Sequence, residues 1–210
     1  MCGRYLIEDE AYADILEILN NLNAVKNPSG VVDRSGASDV KNPGEFARGE
    51  IFPTNIAPVI SGDGVMAVKW GFPHWKNSGV IINARAETAL EKNMFGKPLR
   101  EWRCVVPSSG FFEWSRSSGK KKKDKYFLFH PEEHMLYMAG MVNTFRDALG
   151  SEYNAFVILT TEANDFVAPI HDRMPVILTS DEVEQWTQDD AFMESVLHRP
   201  GPELAVEMVG

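Results

Sequence analysis

Hydrophobic and polar residues follow one another along this chain in short runs, a pattern that predicts many short β-strands and few helices. Residues 3–7 read as a strand, and the apolar runs 56–60 and 65–70 flank a Gly62–Gly64 turn that is typical of a β-hairpin. Further strands are predicted at 80–83, 103–106, 111–115, 125–129, 135–142, 154–160 and 176–178. Because strands and helices do not alternate in βαβ fashion, the pattern predicts an α+β fold with a curved, largely antiparallel sheet.

Helical spacing is confined to a few segments. Apolar residues behind an acidic first turn predict a helix over about 9–22, and a second helix is predicted over 86–95, ending near Gly96. Thr179 and Glu182 have the spacing of a capping box, which predicts a helix that opens there, followed by a short helix over 190–197.

Length and composition favour one compact domain. The chain has 210 residues, 44% of them hydrophobic, enough for a sizeable core, so we expect a single domain over 1–210. Residues 23–50, rich in Asn, Gly, Ser, Pro and charge, are expected to form a long mobile surface loop. No run approaches the roughly 18 apolar residues of a membrane span and no signal-type segment follows the start, so we expect a cytoplasmic protein without membrane contact.

Cysteine and charge usage narrow the function. Two cysteines make no disulfide framework, and no Cys/His cluster has metal-ligand spacing, so we expect neither a metal nor a cofactor. The formal net charge is −9, yet from Lys69 to Tyr126 there are 13 Lys/Arg and 5 Asp/Glu, a local net of +8. Such a segment can give one face a positive potential that suits a polyanion. The alternative is that the lysine-rich run 120–125 only solubilises a hairpin tip.

The first residues carry the most distinctive chemistry. If Met1 is removed, Cys2 presents an α-amine and a thiol on adjacent carbons. At pH 7 about one-seventh of such an amine is neutral, against about one part in a few thousand for lysine. The amine can trap an aldehyde as an imine, which the thiol then closes into a thiazolidine ring. Alternatively, the thiol attacks an acyl carbon with the amine as base. The plainer alternative is a small residue at the start of a strand.

Three other clusters place polar groups beside strand ends. Asn83 and Arg85 lie two positions apart, so they share a face if they are in a strand. The alternative is that Asn83 caps a helix and that Arg85 lies at the surface. Glu113 stands among aromatic residues; facing outward it is ordinary, whereas facing inward it is desolvated and suited to acid/base work near neutral pH. His171 lies in a charged loop that ends at a proline.

Six ordered motifs resemble those of the SRAP (SOS-response-associated peptidase) family of abasic-site processing proteins, and they span residue 1 to about 178. They are Met1-Cys2-Gly3-Arg4-Tyr5, Asn55-Ile56-Ala57-Pro58, Trp70-Gly71-Phe72, Ile82-Asn83-Ala84-Arg85-Ala86-Glu87-Thr88, Gly110-Phe111-Phe112-Glu113-Trp114 and Ile170-His171-Asp172-Arg173-Met174-Pro175. The resemblance implies a partly closed barrel flanked by a few helices.

The resemblance also implies a sensor that forms a covalent thiazolidine crosslink with abasic sites in single-stranded DNA. Cys2 would be the nucleophile, Glu113 would shuttle protons, Asn83 would position the Cys2 terminus, and His171 would act on the sugar and help to reverse the link. The family's peptidase label would cover removal of Met1, by the protein itself.

The DNA contacts follow from the same resemblance. Arg4, Arg85 and Thr160 would hold phosphates, while Pro58 and Trp114 would offer stacking surfaces to a splayed single strand. The partner is therefore single-stranded DNA with abasic sites, bound in the cytoplasm on the nucleoid by a monomer. Asn93, where some members have a basic residue, and the short stretch after Leu197 are expected to weaken parts of the DNA groove and not the Cys2 centre.

Two readings from other classes stay open. An N-terminal-nucleophile cysteine amidohydrolase or peptidase would use the same Cys2 but turn over amides without preferring DNA. A noncovalent single-strand binder would keep full binding after Cys2→Ala.

Overall fold

The computed structural model describes residues 2–26, 46–76, 78–116 and 123–210. The strands in these ranges are β1 Arg4–Ile7, β2 Gly49–Ile51, β3 Ile56–Ser61, β4 Gly64–Trp70, β5 Phe72–Pro73, β6 Val80–Ile81, β7 Asn83–Arg85, β8 Arg103–Ser108, β9 Gly110–Trp114, β10 Lys125–Phe129, β11 Leu136–Arg146, β12 Glu152–Glu162, β13 Arg173–Pro175, β14 Ile177–Leu178 and β15 Ala205–Met208. The helices are α1 Asp9–Lys26, α2 Ala86–Ala89, α3 Gly96–Glu101, α4 Glu182–Gln188 and α5 Asp190–Val196.

Five strands close into a barrel in the order β12-β4-β3-β8-β11, with β11 pairing back onto β12. All of these pairings are antiparallel except β12 with β4. Closure leaves no open edge in the barrel. Gly140 of β11 allows close packing there, since a Cβ would lie 2.8 Å from the Val157 oxygen and 3.2 Å from Cys104 Sγ. The predicted α+β fold with a barrel of largely antiparallel strands is confirmed.

A second, antiparallel sheet has the order β15-β10-β9-β1-β2. Alternation in β1 and β9 divides its side chains between two faces. Tyr5 and Phe111 point inward and are fully buried in the same core as Trp70 of the barrel, whose ring centroid lies 5.1 Å from that of Tyr5. Arg4 and Phe112, which are paired in register, share the opposite face. This sheet therefore packs with its inner face toward the barrel.

The other faces of the barrel strands pack against the small helices. Trp186 of α4 is fully buried and donates from Nε1 to the Cys104 carbonyl at 2.9 Å. Its core also contains Val105, Val157 and Leu159, which alternate with residues of the first core along β8 and β12. Strands β8 and β12 of the barrel are therefore buried on both faces over most of their length, which explains their nearly continuous apolar sequences.

Several local predictions are confirmed. β3 and β4 form the predicted hairpin, in register Ser61 to Gly64. Helix α4 begins at Glu182, close to the predicted start, but only half of the capping box forms. Thr179 donates its backbone N–H to Glu182 Oε2 at 3.0 Å, whereas its hydroxyl donates to Asp181 Oδ1 at 2.6 Å.

The predicted loop 23–50 and the predicted helix 86–95 are wrong in their bounds. Helix α1 continues to Lys26. At the other end of the predicted loop, Gly49 begins β2, because residues 49–51 pair with β1. Residues 27–45 of the predicted loop lie outside the described residues. In the second case α2 ends at Ala89, and Gly96 begins α3 instead of ending a helix. The glycine here is explained by close packing, since a Cβ would lie 2.6 Å from the Leu90 oxygen.

Four strands among the described residues were not predicted: β2, β5, β13 and β15. β13 lies within the segment 163–175, which the sequence predicts as a loop, and pairs with the end of β12. β15 pairs with β10 and adds a strand to the second sheet. Both are short, and both are defined by long-range pairing that periodicity does not reveal.

Candidate active site

Cys2 lies two residues before the start of β1 and is fully buried. Its thiol donates to the Arg4 carbonyl at an Sγ–O distance of 3.5 Å. Burial raises the pKa of the thiol far above its usual value, and the nearby Glu113 carboxylate adds to the effect. The sulfur is therefore held as a thiol at neutral pH, so a reaction at sulfur needs a base.

Asn83 fastens this terminal segment to the barrel. It begins β7, which runs parallel to β12 with Asn83 opposite Ile158. Its Nδ2 donates to the Cys2 carbonyl at 2.9 Å. Its Oδ1 is buried and has no hydrogen-bond partner among the described residues, which leaves one acceptor in this pocket for a donor from a bound group.

Glu113 lies on the inner face of β9, with 2% of its surface exposed. The sequence left both orientations open, because β9 is apolar on both sides of this residue. Pairing with β1 decides the matter: Phe111 lies opposite Tyr5, so Glu113, two residues on, also faces inward. Its carboxylate interacts electrostatically with both Cys2 and His171.

His171 precedes β13 and is mostly buried, with 20% of its side chain exposed. Its Nδ1 accepts the backbone N–H of Arg173 at 3.0 Å. Asp172 Oδ1 lies 3.0 Å from the same nitrogen, but a backbone N–H can only donate, so the neutral ring carries its proton on Nε2. Burial lowers the pKa of His171, against the opposing effect of Glu113, and the imidazole is therefore neutral at pH 7.

The structure thus brings together the four residues to which the sequence analysis gave chemical roles. They come from the terminus, from β7, from β9 and from the loop before β13. The arrangement places a nucleophile, an amide, a carboxylate and a neutral imidazole in one largely buried site. This set is suited to proton transfer around an attacking thiol or amine.

Of the predicted DNA contacts, three lie at or near the surface. Arg4 and Trp114 share the outer face of the second sheet, with the guanidinium 5.2 Å from the centroid of the Trp114 ring. Arg85 ends β7 and is exposed. These positions suit groups that contact a ligand outside the buried site.

Pro58 and Thr160 are less accessible. Pro58 is buried within β3, since this barrel strand is covered on both faces. Thr160 is fully buried, and its hydroxyl donates to the Ala84 carbonyl at 3.4 Å. Both side chains would have to become accessible to contact DNA, so the structure adds no support to these two predictions.

Sequence reasoning gave no role to the ion pair between Glu87 and Arg173. The guanidinium donates from Nη1 and Nη2 to the two carboxylate oxygens at 2.7 and 2.8 Å, and Nη2 also donates to the Thr160 carbonyl at 2.6 Å. Both residues belong to the six motifs, and their opposite charges were the available signal.

The described residues hold no group of three or more His, Cys, Asp or Glu placed to bind a metal ion. Nor is any described helix both long and apolar enough to cross a bilayer.

Comparisons with known proteins assign the chain to a family. The family model described as "SOS response associated peptidase (SRAP)" matches residues 1–209. The abasic site processing protein YoqW of Bacillus subtilis is 31% identical over 216 residues, covering 94% of this chain and 86% of that protein. The abasic site processing protein YoaM of the same organism is 36% identical over 156 residues, covering 67% of this chain and 68% of its own.

The fold is shared with solved structures. A Bacteroides thetaiotaomicron protein superposes with a TM-score of 0.78 at 24% identity, covering all of this chain and 92% of that one. Because the family model matches nearly the whole sequence, the chain belongs to the SOS response associated peptidase (SRAP) family.

Proposed function

We propose that this protein processes abasic sites in single-stranded DNA by forming a covalent crosslink through Cys2. The observation that carries the proposal is the seating of Cys2. Its carbonyl is held by Asn83 at 2.9 Å, and its thiol lies within electrostatic range of Glu113 inside a buried site. The names of the relatives, which are abasic site processing proteins, support the same substrate.

The proposed reaction is a condensation. The Cys2 α-amine adds to the aldehyde of the ring-opened sugar, and loss of one water gives an imine. The thiol then adds to the imine carbon while its proton passes to nitrogen, which closes a five-membered ring of sulfur, nitrogen and three carbons. No electrons are exchanged, so neither a metal nor a redox cofactor is needed.

The side chains have distinct tasks in this scheme. Glu113 gives a proton to the departing hydroxyl group and recovers one from nitrogen as the imine forms. It then takes the proton of the thiol, which burial keeps protonated, and passes a proton to nitrogen as the ring closes. His171 donates a hydrogen bond from Nε2–H to a sugar oxygen, and the same contact assists the reversal of the link. Asn83 fixes the direction of the terminus, so the amine and thiol meet the same carbon.

The amine is free only after Met1 is removed, and we propose that the protein carries out this removal itself. We further propose that it acts in the cytoplasm, as a monomer within a single domain, and joins the nucleoid through DNA. Intact mass of the purified protein reports whether Met1 is present.

The test uses protein whose mass shows that Met1 is absent, incubated with a single-stranded oligonucleotide bearing one abasic site. We expect a DNA–protein adduct on a denaturing gel that is lost with Cys2→Ala. Cys104→Ala is the matched control, because Cys104 is the other buried free cysteine and should leave the adduct intact.

Other outcomes identify the competing functions. An adduct of equal yield with Cys2→Ala would exclude Cys2 as the nucleophile. Turnover of small amides without any adduct would favour a hydrolase.

A further inference from the structure

Four polar and aromatic side chains meet on the outer face of the second sheet, on the side away from the buried site. This outer-face cluster consists of Arg4 on β1, Glu50 on β2, Trp114 on β9 and Lys125 on β10. Register places them on one face: Leu6 is opposite Glu50, and Lys125 is opposite Trp114. Strand order separates β2 from β10 by three strand spacings, about 14 Å.

Two cations in this cluster share one carboxylate oxygen. Glu50 Oε1 accepts from Arg4 Nη1 at 3.1 Å and from Lys125 Nζ at 2.9 Å. The side chains are partly open to solvent, with 37% of Arg4, 29% of Glu50 and 22% of Lys125 exposed. The cluster therefore carries a net charge of about +1 and holds two cations at hydrogen-bonding distance from a single point.

Aromatic rings fix both cations in place. The Lys125 ammonium lies 3.8 Å from the Phe112 centroid and 5.7 Å from that of Trp114. The Arg4 guanidinium lies 4.4 Å from the Phe52 centroid, and Phe52 is 39% exposed. The face of an aromatic ring attracts a cation, so these rings help to hold both cations at this place on the sheet. Exposed ring surface beside them offers bases a stacking platform.

A phosphate oxygen can take the position of the Glu50 oxygen. It carries the same charge sign, accepts hydrogen bonds with similar geometry, and reaches the cluster from solvent. An internal carboxylate that neutralises basic residues lowers their affinity for external anions, because the ion pair must open before the anion binds.

We propose that Arg4 and Lys125 together bind one backbone phosphate of single-stranded DNA, and that Glu50 is the internal counterion that this phosphate displaces. The inference rests on the proposed function, in which Arg4 already contacts DNA, and it adds Lys125 as a phosphate ligand and Glu50 as the residue that restrains binding. The phosphate bound here lies outside the buried site, so it positions the strand and takes no part in the condensation.

The experiment measures noncovalent binding of an undamaged single-stranded oligonucleotide by fluorescence anisotropy over a series of salt concentrations. Since no abasic site is present, the covalent step does not enter. Lys125→Ala should weaken binding and reduce the slope of log K against log salt by about 0.7, the value for one lost phosphate contact on a single strand. Glu50→Gln should bind about two- to five-fold more tightly, since an ion pair of this kind no longer has to open.

Matched variants separate this role from a structural one. Lys97→Ala is the control, because Lys97 also pairs with a carboxylate, Glu101 at 3.8 Å, and lies over a ring, Trp102 at 5.2 Å, but on α3. It should leave the slope unchanged. Lys125→Arg should retain the slope, because it keeps the charge even if packing and melting temperature change.

The outcomes distinguish the two proposals. If wild type binds the oligonucleotide but Lys125→Ala keeps the full slope and Glu50→Gln keeps wild-type affinity, the outer-face cluster is a structural ion pair and this inference is wrong. If wild type binds neither undamaged nor abasic strands, the proposed function fails as well.

Discussion

Glu113 acts on Cys2 in two opposing ways. As a negative charge in a buried site it helps to raise the pKa of the thiol, which makes a thiolate harder to form. As the base that we propose, it takes the thiol proton at the moment when sulfur attacks. The two effects predict opposite results when the charge is removed, so one substitution decides which dominates.

We expect Glu113→Gln to slow crosslinking by about 10²-fold or more, because loss of a positioned proton carrier has effects of that size. The measurement is the single-turnover rate of adduct formation with protein lacking Met1. Glu207→Gln, at an exposed position in β15, is the control and should react at the wild-type rate. A faster reaction of Glu113→Gln would show that thiol acidity, and not proton transfer, limits the rate.

Strand pairing, at the scale of the elements, explains how much of the site could be predicted. The α+β class followed from periodicity, and the motifs named Cys2, Asn83, Glu113 and His171. The face of Glu113 could not be predicted, because aromatic residues surround it on both sides and no alternation marks the buried side. Its direction comes from pairing with β1, a contact between residues more than 100 positions apart.

The same limit applies to the ion pair of Glu87 with Arg173. These residues are 86 positions apart, and one sequence does not reveal which distant charges meet. Thr160 shows the converse: the family resemblance implied a phosphate contact, whereas pairing between β12, β7 and β13 encloses this residue.

Strand β7 presents Asn83 toward Cys2 and ends with Arg85 exposed, so one short element connects the buried site with the surface. We expect Arg85→Ala to weaken binding of undamaged single-stranded DNA and to reduce its salt slope by about 0.7, with little effect on the rate of adduct formation at saturating DNA. Anisotropy titrations at several salt concentrations provide the slope.

Arg146→Ala is the control for Arg85→Ala. Arg146 is an exposed arginine that pairs with Glu152 at the start of β12. Thr160, which lies opposite Arg85, is eight residues further along β12, about 26 Å from Glu152. If both variants lose the same amount of salt slope, the effect is general electrostatic attraction, and the proposed phosphate contact of Arg85 is wrong.

For the whole molecule, the site depends on holding distant segments together. Arg173 follows the His171 loop, Glu87 lies in α2 just after β7, and Thr160 belongs to the barrel. The Arg173 guanidinium therefore joins three parts of the site. Arg116, after β9, forms a further ion pair with Asp172 of the His171 loop. These contacts connect the second sheet and the barrel around Cys2.

The pair of Glu87 with Arg173 should make stability depend on pH. Burial opposes ionisation of Glu87, but the hydrogen bonds from Arg173 outweigh it and lower the pKa of the carboxyl below its usual value. A lowered carboxyl pKa contributes stability that is present above the unfolded value of about 4.3 and is lost as pH falls through the folded value.

Glu87→Gln should therefore lower the free energy of unfolding by about 1–3 kcal/mol at pH 7, because the buried guanidinium loses a charged partner. The difference from wild type, measured by urea denaturation, should shrink as pH falls below about 5. Glu91→Gln, exposed in the turn after α2, should match wild type at every pH, and a gap for Glu87→Gln that stays constant down to pH 3 would rule out the ion pair as its cause.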